Sequence, residues 1–331
     1  MSNVSSKGKS LSPKPGVEHW ITRPTADGDI KLFLWQKART DAGSNAGSNV
    51  GANAGSNVAP KRGTVLFVHG SSMASRPTFD LEVPGRADSS PMDWFAARGF
   101  DTWTMDNEGY GLSDKHRNIN FNIENGADDL AAATDYITRT TGAKQFLIYG
   151  ISSGALKAAV FAQRHPERVA RLALDAFVWT GEGSPTLAER KKKLPDFIAK
   201  NRRPIDHAFV QSVFNRDHPD TTDQATVSAF ADAILSFDDS MPTGTYVDMC
   251  SRLPLVNPEK LNVPTIVMRG EHDGIASFDD LIEFYKKLPN PDKQFTVMAG
   301  ISHASFQQKN YMMVYHILHA WFTQPEPLYR G

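Results

Sequence analysis

The chain alternates between short apolar runs and amphipathic stretches. TVLFVH (64–69) is a continuous apolar run of the kind that fills a strand buried on both faces. FDTWTMD (100–106), KQFLIYG (144–150), VARLALDAF (169–177), PTIVMRG (264–270) and KQFTVMAG (293–300) have the same character. Segments of helical period lie between them. MDWFAARG (92–99) reads as a short helix ended by Gly99, and ADDLAAATDYI (127–137) puts Leu130, Ala133, Thr134 and Ile137 on one face. GALKAAVFAQRH (154–165) carries a stripe of Ala155, Ala158, Ala159 and Ala162, which lets a helix lie close against a sheet. A further helix is expected around 279–288, and in a closing helix Met313, Ile317, Ala320 and Trp321 share an apolar face. This alternation predicts an α/β fold: a mostly parallel central sheet flanked by helices.

Three regions depart from the pattern. Near the start, HWITRP (19–24) and IKLFLWQKA (30–38) flank the turn-forming ADGD at 26–29 and read as an antiparallel hairpin. Residues 42–57 are four consecutive tetrapeptides, AGSN, AGSN, VGAN and AGSN. Their period is too short for a solenoid and their side chains bury too little to offset the entropy of ordering, so they read as a flexible surface loop within 39–62. Finally, residues 178–260 look helical and loop-rich without clear buried strands. They are expected to form a helical cap inserted between a first core part (18–177) and a second (261–323), with a polar terminus at 1–17 and a tail at 324–331.

Composition narrows the classes of function. The 331 residues carry 36 Lys+Arg and 37 Asp+Glu, for a net charge of −1. That balance argues against a nucleic-acid partner and gives no reason to expect a membrane surface. Cys250 is the single cysteine, which excludes an internal disulfide and a thiolate metal site. The first twenty residues lack the apolar core of a signal peptide, and no stretch approaches 18 apolar residues. A soluble cytoplasmic protein is expected, with no cofactor and no metal.

Chemistry concentrates in a few loops. Gly150-Ile151-Ser152-Ser153-Gly154 joins an expected strand to an expected helix. Such a turn is sharp and strained, and it lifts the Ser152 hydroxyl out of the carboxyl edge of the sheet. A serine hydroxyl needs a base held in one tautomer. His303 in GISH follows the strand at 293–300, and Asp273 in RGEHDG follows the strand at 264–270, so both fall where open α/β sheets place active sites. Asp175 is the rival acid, because it ends the strand before the insertion. Of the other histidines, His316 and His319 fall inside the closing helix, His165 at a helix end and His218 in a loop. Oxyanion donors are expected from the backbone N–H of Ser153 and of Ser71, with Ser72 as runner-up. His69 is expected to be a structural hydrogen-bonder.

VLFVHGSS, MDNEGYGLSD, YGISSG, VMRGEHDG and GISHASF occur in an order that resembles the α/β-hydrolase superfamily, its serine hydrolases in particular, over about residues 63–322. There are two departures. Glu108 stands where many members have Arg, and the HG loop continues with Ser-Ser. The resemblance implies a cofactor-independent serine esterase. A serine at position 152 disfavours haloalkane dehalogenase and epoxide hydrolase chemistry, which run on aspartate, and the cysteine-dependent lactone hydrolases. Carbon–carbon bond hydrolysis of diketones, acyl transfer and amide hydrolysis use the same triad, and a receptor or scaffold is the non-enzyme alternative.

Substrate choice is expected in the cap. Residues 189–203 hold seven basic and two acidic residues, whereas 204–260 hold three basic and nine acidic. A solvated face is the plain reading of the basic run. The sharper one is that Arg202 and Arg203 meet an anionic ester, with Ser72 and Trp179 also touching substrate. Phe177, Phe209, Phe214, Phe230 and Phe237 are expected mainly as cap core.

Overall fold

TVLFV at 64–68 is buried along its whole length because it is covered on both sides. The period of two sends Leu66 and Val68 to one face and Val65 and Phe67 to the other. The same division holds in FLIYGI at 146–151, with Phe146 and Ile148 on the first face and Leu147, Tyr149 and Ile151 on the second. Two apolar layers therefore sandwich one sheet. The computed structural model describes residues 16–38 and 62–329. The tetrapeptide repeat and nearly all of the polar terminus lie outside the described residues.

In chain order the core elements before the insertion are β1 (Val17–Arg23), β2 (Ile30–Lys37), β3 (Thr64–Val68), α1 (Ser75–Phe79), α2 (Pro91–Ala96), β4 (Asp101–Met105), α3 (Ile123–Thr141), β5 (Phe146–Ile151), α4 (Ser153–Arg164) and β6 (Val169–Asp175). Then come α5 (Pro185–Lys191), α6 (Leu194–Ala199), β7 (Arg202–Pro204), α7 (His207–Asn215), α8 (Gln224–Leu235), β8 (Ser240–Pro242) and α9 (Gly244–Ser251). The chain returns to the sheet with β9 (Thr265–Gly270), α10 (Phe278–Lys287), β10 (Lys293–Met298) and α11 (Tyr311–Thr323). The strand order is β1-β2-β4-β3-β5-β6-β9-β10. β1 and β2 form the expected antiparallel hairpin and join β4 antiparallel, and all pairs from β4 to β10 are parallel.

The alanine stripe of α4 is fully buried against the sheet beside α3. The closing helix differs from expectation. In α11 the buried stripe is Val314, Tyr315, Leu318, Trp321 and Phe322, while Met313 and Ala320 are exposed and Ile317 is half-buried. The helix is apolar almost all round, so helical period fits two neighbouring stripes equally well. Bulk decides between them, because Tyr315 packs on Trp94 and Phe306, and its hydroxyl donates to the carbonyls of Asp88 and Ser89 at 3.0 and 3.3 Å.

The stretch between β6 and β9 contains five α-helices, a short 3-10 turn and a small antiparallel ribbon, β7 against β8, that no alternation revealed because each strand has only three residues. Its apolar core includes Phe214, Phe230, Ile234 and Met241, and reaches Tyr110 and Phe121 below. No helix among the described residues is long and apolar enough to cross a membrane.

The start of α3 anchors this stretch to the core. Asn122 accepts from the Asn125 N–H at 2.9 Å and Asn125 returns the contact at 3.1 Å, while the Ile123 N–H donates to Asp248 of α9 at 2.8 Å. Replacing Asn122 by Ala is expected to cost about 1 kcal/mol, read as a lower urea midpoint with an unchanged slope. An unchanged midpoint contradicts the assigned cap.

Candidate active site

Ser152 is the first residue after β5 and has φ 57° and ψ −125°, a conformation that costs a non-glycine residue energy. Its neighbours hold it there. A side chain on Gly154 would strike the carbonyl oxygens of Val68 and His69, and one on Gly150 would strike the backbone of Gly154. Both must be glycine for α4 to start this close to β3 and β5. The Ser152 N–H donates to the carbonyl of Asp175 at 2.9 Å, which ties the turn to the end of β6.

His303 arrives from the loop after β10. Its Nε2 is 2.9 Å from the Ser152 Oγ, and its Nδ1 is 3.0 Å from both carboxylate oxygens of Asp273. Asp273, in the loop after β9, also accepts from the N–H groups of Ile275 (2.8 Å) and Ala276 (3.1 Å). Burial pushes the Asp273 carboxyl up, but the His303 ring and these N–H groups together outweigh it and hold it at about 2. The three residues form one hydrogen-bonded chain, and the structure brings them together as their loops predicted.

Asp175 makes no hydrogen bond to His303. Its Oδ2 accepts from the Tyr149 hydroxyl at 2.5 Å, while Oδ1 has no partner within hydrogen-bond distance. Burial raises its carboxyl to about 7, against the hydrogen bond from Tyr149.

The HG loop rests on buried polar groups. His69 donates Nδ1–H to the Gly70 carbonyl at 2.8 Å, and its Nε2 accepts from the Asn107 N–H at 3.1 Å. Burial, helped by the nearby Lys157 charge, lowers this imidazole well below its ordinary value, so it is neutral and structural as expected. Lys157 donates to the His69 carbonyl at 3.2 Å and to Asn107 Oδ1 at 2.8 Å, and burial lowers its ammonium to about 7. Nothing in its sequence context marked Lys157, which sits inside an apolar helix. Glu108, one of the departures, accepts from Arg117 at 2.7 and 2.8 Å and from Arg23 at 3.3 Å.

A narrow cleft opens over Ser152 and His303. Ser71 and Ser72 both line it. The Ser71 hydroxyl accepts from Thr245 at 2.8 Å and its carbonyl from Tyr110 at 3.1 Å, while the Ser72 Oγ is 2.5 Å from the Tyr246 hydroxyl. Ser153 opens α4, where no carbonyl one turn earlier exists to accept its N–H.

Three other expected contacts lie elsewhere. Arg202 donates to the carbonyls of Gly109 (2.8 Å) and Ser240 (2.6 Å), so it clamps the ribbon to the loop below. Arg203 donates to the Tyr246 hydroxyl at 2.7 Å and stacks on Phe209 at 4.1 Å. Trp179 donates from its indole to the Val256 carbonyl at 3.1 Å and packs near Phe284. Their hydrogen bonds run within the insertion or from it to the core, and none of the three lines the cleft. Nor do Phe177, Phe209, Phe214, Phe230 or Phe237. The residues the sequence reading did not assign are Arg190, Arg216, Tyr246, Met73, Val213 and Gln307. Arg190 lay in the basic run, but the run offered seven cations and no means of choosing among them.

His316 and His319 pack edge-on against Trp94, His165 stacks on Phe161, and His218 stacks on His272 at 4.0 Å. The ligand atoms of Asp217, Asp273 and His303 come within 4.8 Å of one another, the one such grouping among the described residues. They are committed already: Asp273 faces His303, and Asp217 accepts from Arg216 at 2.9 and 3.1 Å. A guanidinium in that position disfavours a cation.

A family model described as serine aminopeptidase, S33 (Hydrolase_4), matches residues 59–310. The chain belongs to this family of α/β hydrolases. Among solved structures, the hydrolase resembles a soluble variant of monoglyceride lipase from Saccharomyces cerevisiae in complex with a substrate analogue (TM-score 0.66, 16% identity, 97% of this chain and 98% of the other). It also resembles a malate-bound thermophilic esterase from Thermogutta terrifontis (0.62, 19%, 92% and 97%) and E-2-(acetamidomethylene)succinate hydrolase (0.59, 19%, 91% and 98%). At these identities the likeness is one of fold. No curated protein sequence matches the chain.

The raised carboxyl of Asp175 gives the hydrolase a pH signature. Its folded value of about 7 lies above the ordinary 3.8, so the folded form binds an extra proton between those two values. Stability is then lost as pH rises through that window, by a few kcal/mol in all. Relative to the Asp175→Asn variant, the wild type is expected to lose stability in urea melts between pH 4 and pH 7. A difference that stays flat over that range contradicts a protonated Asp175.

Proposed function

We propose that this α/β hydrolase cleaves a carboxylic ester through an acyl-enzyme formed on Ser152. The observation that carries the reading is the continuous chain from Ser152 Oγ to His303 Nε2 and from His303 Nδ1 to Asp273. His303 takes the Ser152 proton as Oγ attacks the ester carbonyl. Asp273, held ionised, fixes the tautomer with the proton on Nδ1 and stabilises the imidazolium. The N–H groups of Ser153 and Ser71 receive the oxyanion. Ser71 is the better second donor, because Thr245 and Tyr110 pin its side chain and its carbonyl while Tyr246 engages the Ser72 hydroxyl. Collapse of the tetrahedral adduct breaks the bond to the alkoxy oxygen, and His303 returns its proton to the leaving alcohol. Water then attacks the acyl-enzyme with His303 as base, releasing the acid and restoring Ser152.

The residues between β6 and β9 act as the cap, since Arg190, Val213, Arg216 and Tyr246 all come from them into the cleft. An aminopeptide substrate carries a free ammonium next to the scissile bond. The cleft meets it with two guanidinium groups, while the nearby carboxylates, Asp217 and Asp273, are already held by Arg216 and His303. That charge pattern favours an ester over an aminopeptide.

Ser152→Ala is expected to lower kcat on p-nitrophenyl esters by about 10³- to 10⁶-fold and to abolish labelling by a fluorophosphonate probe. Asp273→Asn is expected to lower it by roughly 10⁴-fold. Retention of wild-type turnover in Ser152→Ala rejects the mechanism. Turnover of a meta-cleavage dienoate without turnover of any ester replaces it with carbon–carbon hydrolysis.

A further inference from the structure

Arg190, on α5, and Arg216, directly after α7, line the same cleft as Ser152. Their electrostatic situations differ. Arg216 is matched by Asp217 at 2.9 and 3.1 Å, and although burial works against the Asp217 charge, the guanidinium holds that carboxyl below its ordinary value. Arg190 has no carboxylate partner among the described residues. Its neighbour Glu189 is exposed and pairs with Lys192 at 2.6 Å. The Arg190 guanidinium lies 5.1 Å from the ring of Tyr246, whose hydroxyl is already shared by Ser72 and Arg203.

A half-buried cation without a counter-ion is costly unless something supplies one. Arginine stays charged under these conditions, and its planar fork matches the two oxygens of a carboxylate. The remaining wall is apolar or neutral, with Met73, Ile151, Val213 and Ala304 among its residues. The cleft thus combines a nucleophilic serine, short apolar contacts and one unmatched positive charge.

We infer that Arg190, backed by Arg216, is a carboxylate-binding subsite that selects hemiesters of short dicarboxylic acids. The inference rests on the esterase reading and names its substrate class. Water adds across the acyl–oxygen bond, the alcohol leaves, and the product is a dicarboxylate. The guanidinium fork holds the carboxylate that is already free, and Ser152 attacks the esterified one.

Two measurements separate this inference from the reading beneath it. The first compares mono-p-nitrophenyl glutarate with p-nitrophenyl pentanoate, which matches it in length but is neutral. Arg190→Gln is expected to lower the ratio of kcat/KM for the anionic over the neutral ester on the order of 10- to 100-fold, mostly through KM. Arg190→Lys, which keeps the charge and loses the fork, is expected to fall between. Lys191→Gln, an exposed cation of the same run, is expected to leave the ratio unchanged. The second titrates the full-length Ser152→Ala protein with monomethyl glutarate and with dimethyl glutarate by calorimetry, where preference for the former is expected and Arg190→Gln removes it. Equal binding of the two ligands, or a preference that survives Arg190→Gln, overturns the subsite even if neutral esters are cleaved. A drop in the ratio with Lys191→Gln as large as with Arg190→Gln also overturns it, since a general surface field then explains the selectivity. If no ester is turned over but the binding preference holds and depends on Arg190, the esterase reading fails and the anion subsite stands.

Discussion

The left-handed backbone of Ser152 is the constraint around which the site is arranged. A serine adopts φ 57° only when its surroundings leave no alternative. Here they are the carbonyls of Val68 and His69 on one side and the first turn of α4 on the other, brought into contact through Gly154. The same closeness points Oγ away from the sheet toward His303, and it places the start of a twelve-residue helix beneath the hydroxyl. Orientation of the Ser152 hydroxyl and an N–H at the helix start are two results of one packing arrangement.

Around that turn, burial is matched unevenly by charge. Asp273 is buried yet held near 2 by its histidine and two backbone donors, whereas burial raises Asp175 to about 7 against the Tyr149 and Ser305 hydroxyls. Asp175 ends β6 and Asp273 lies in the loop after β9, its neighbour in the sheet, so topology offers both to His303. The protein separates them by giving one the imidazole and raising the carboxyl of the other through burial. Beneath the HG loop, burial lowers Lys157 to about 7 and raises Asp129 to about 6, so both ionised forms are penalised there. Their hydrogen bonds hold Asn107 and the carbonyl before Gly70, and so the position of Ser71.

Much of this was legible along the chain. Uninterrupted apolar runs such as TVLFV and FLIYG are short and rich in β-branched and aromatic residues, which favours strands covered on both faces, and the Gly-x-Ser-x-Gly between a run and a small-residue helix fits a sharp strand-to-helix turn. His303 stood out because it follows a late strand directly. The choice of Asp273 over Asp175 was less secure, since both positions satisfy the same rule of strand ends. The buried stripe of α11 was missed because an all-apolar helix has no preferred face until its aromatic side chains meet their partners. The β7–β8 ribbon was missed because three residues make no period.

Sequence alone determined the layer order, the turn that carries Ser152 and the loops that carry Asp273 and His303. Each follows from local chemistry: a run of apolar side chains, a pair of glycines, a residue type at a strand end. Only the tertiary structure decided which cations reach the cleft. Arg202 and Arg203 make their hydrogen bonds to carbonyls and to Tyr246 outside the cleft, while Arg190, twelve residues before Arg202 in the same basic run, lines the cleft without a carboxylate partner among the described residues. Net charge and charge runs sum over residues regardless of direction. Which cation reaches the cleft depends on where each guanidinium is placed, and that is settled by packing between elements far apart in the chain.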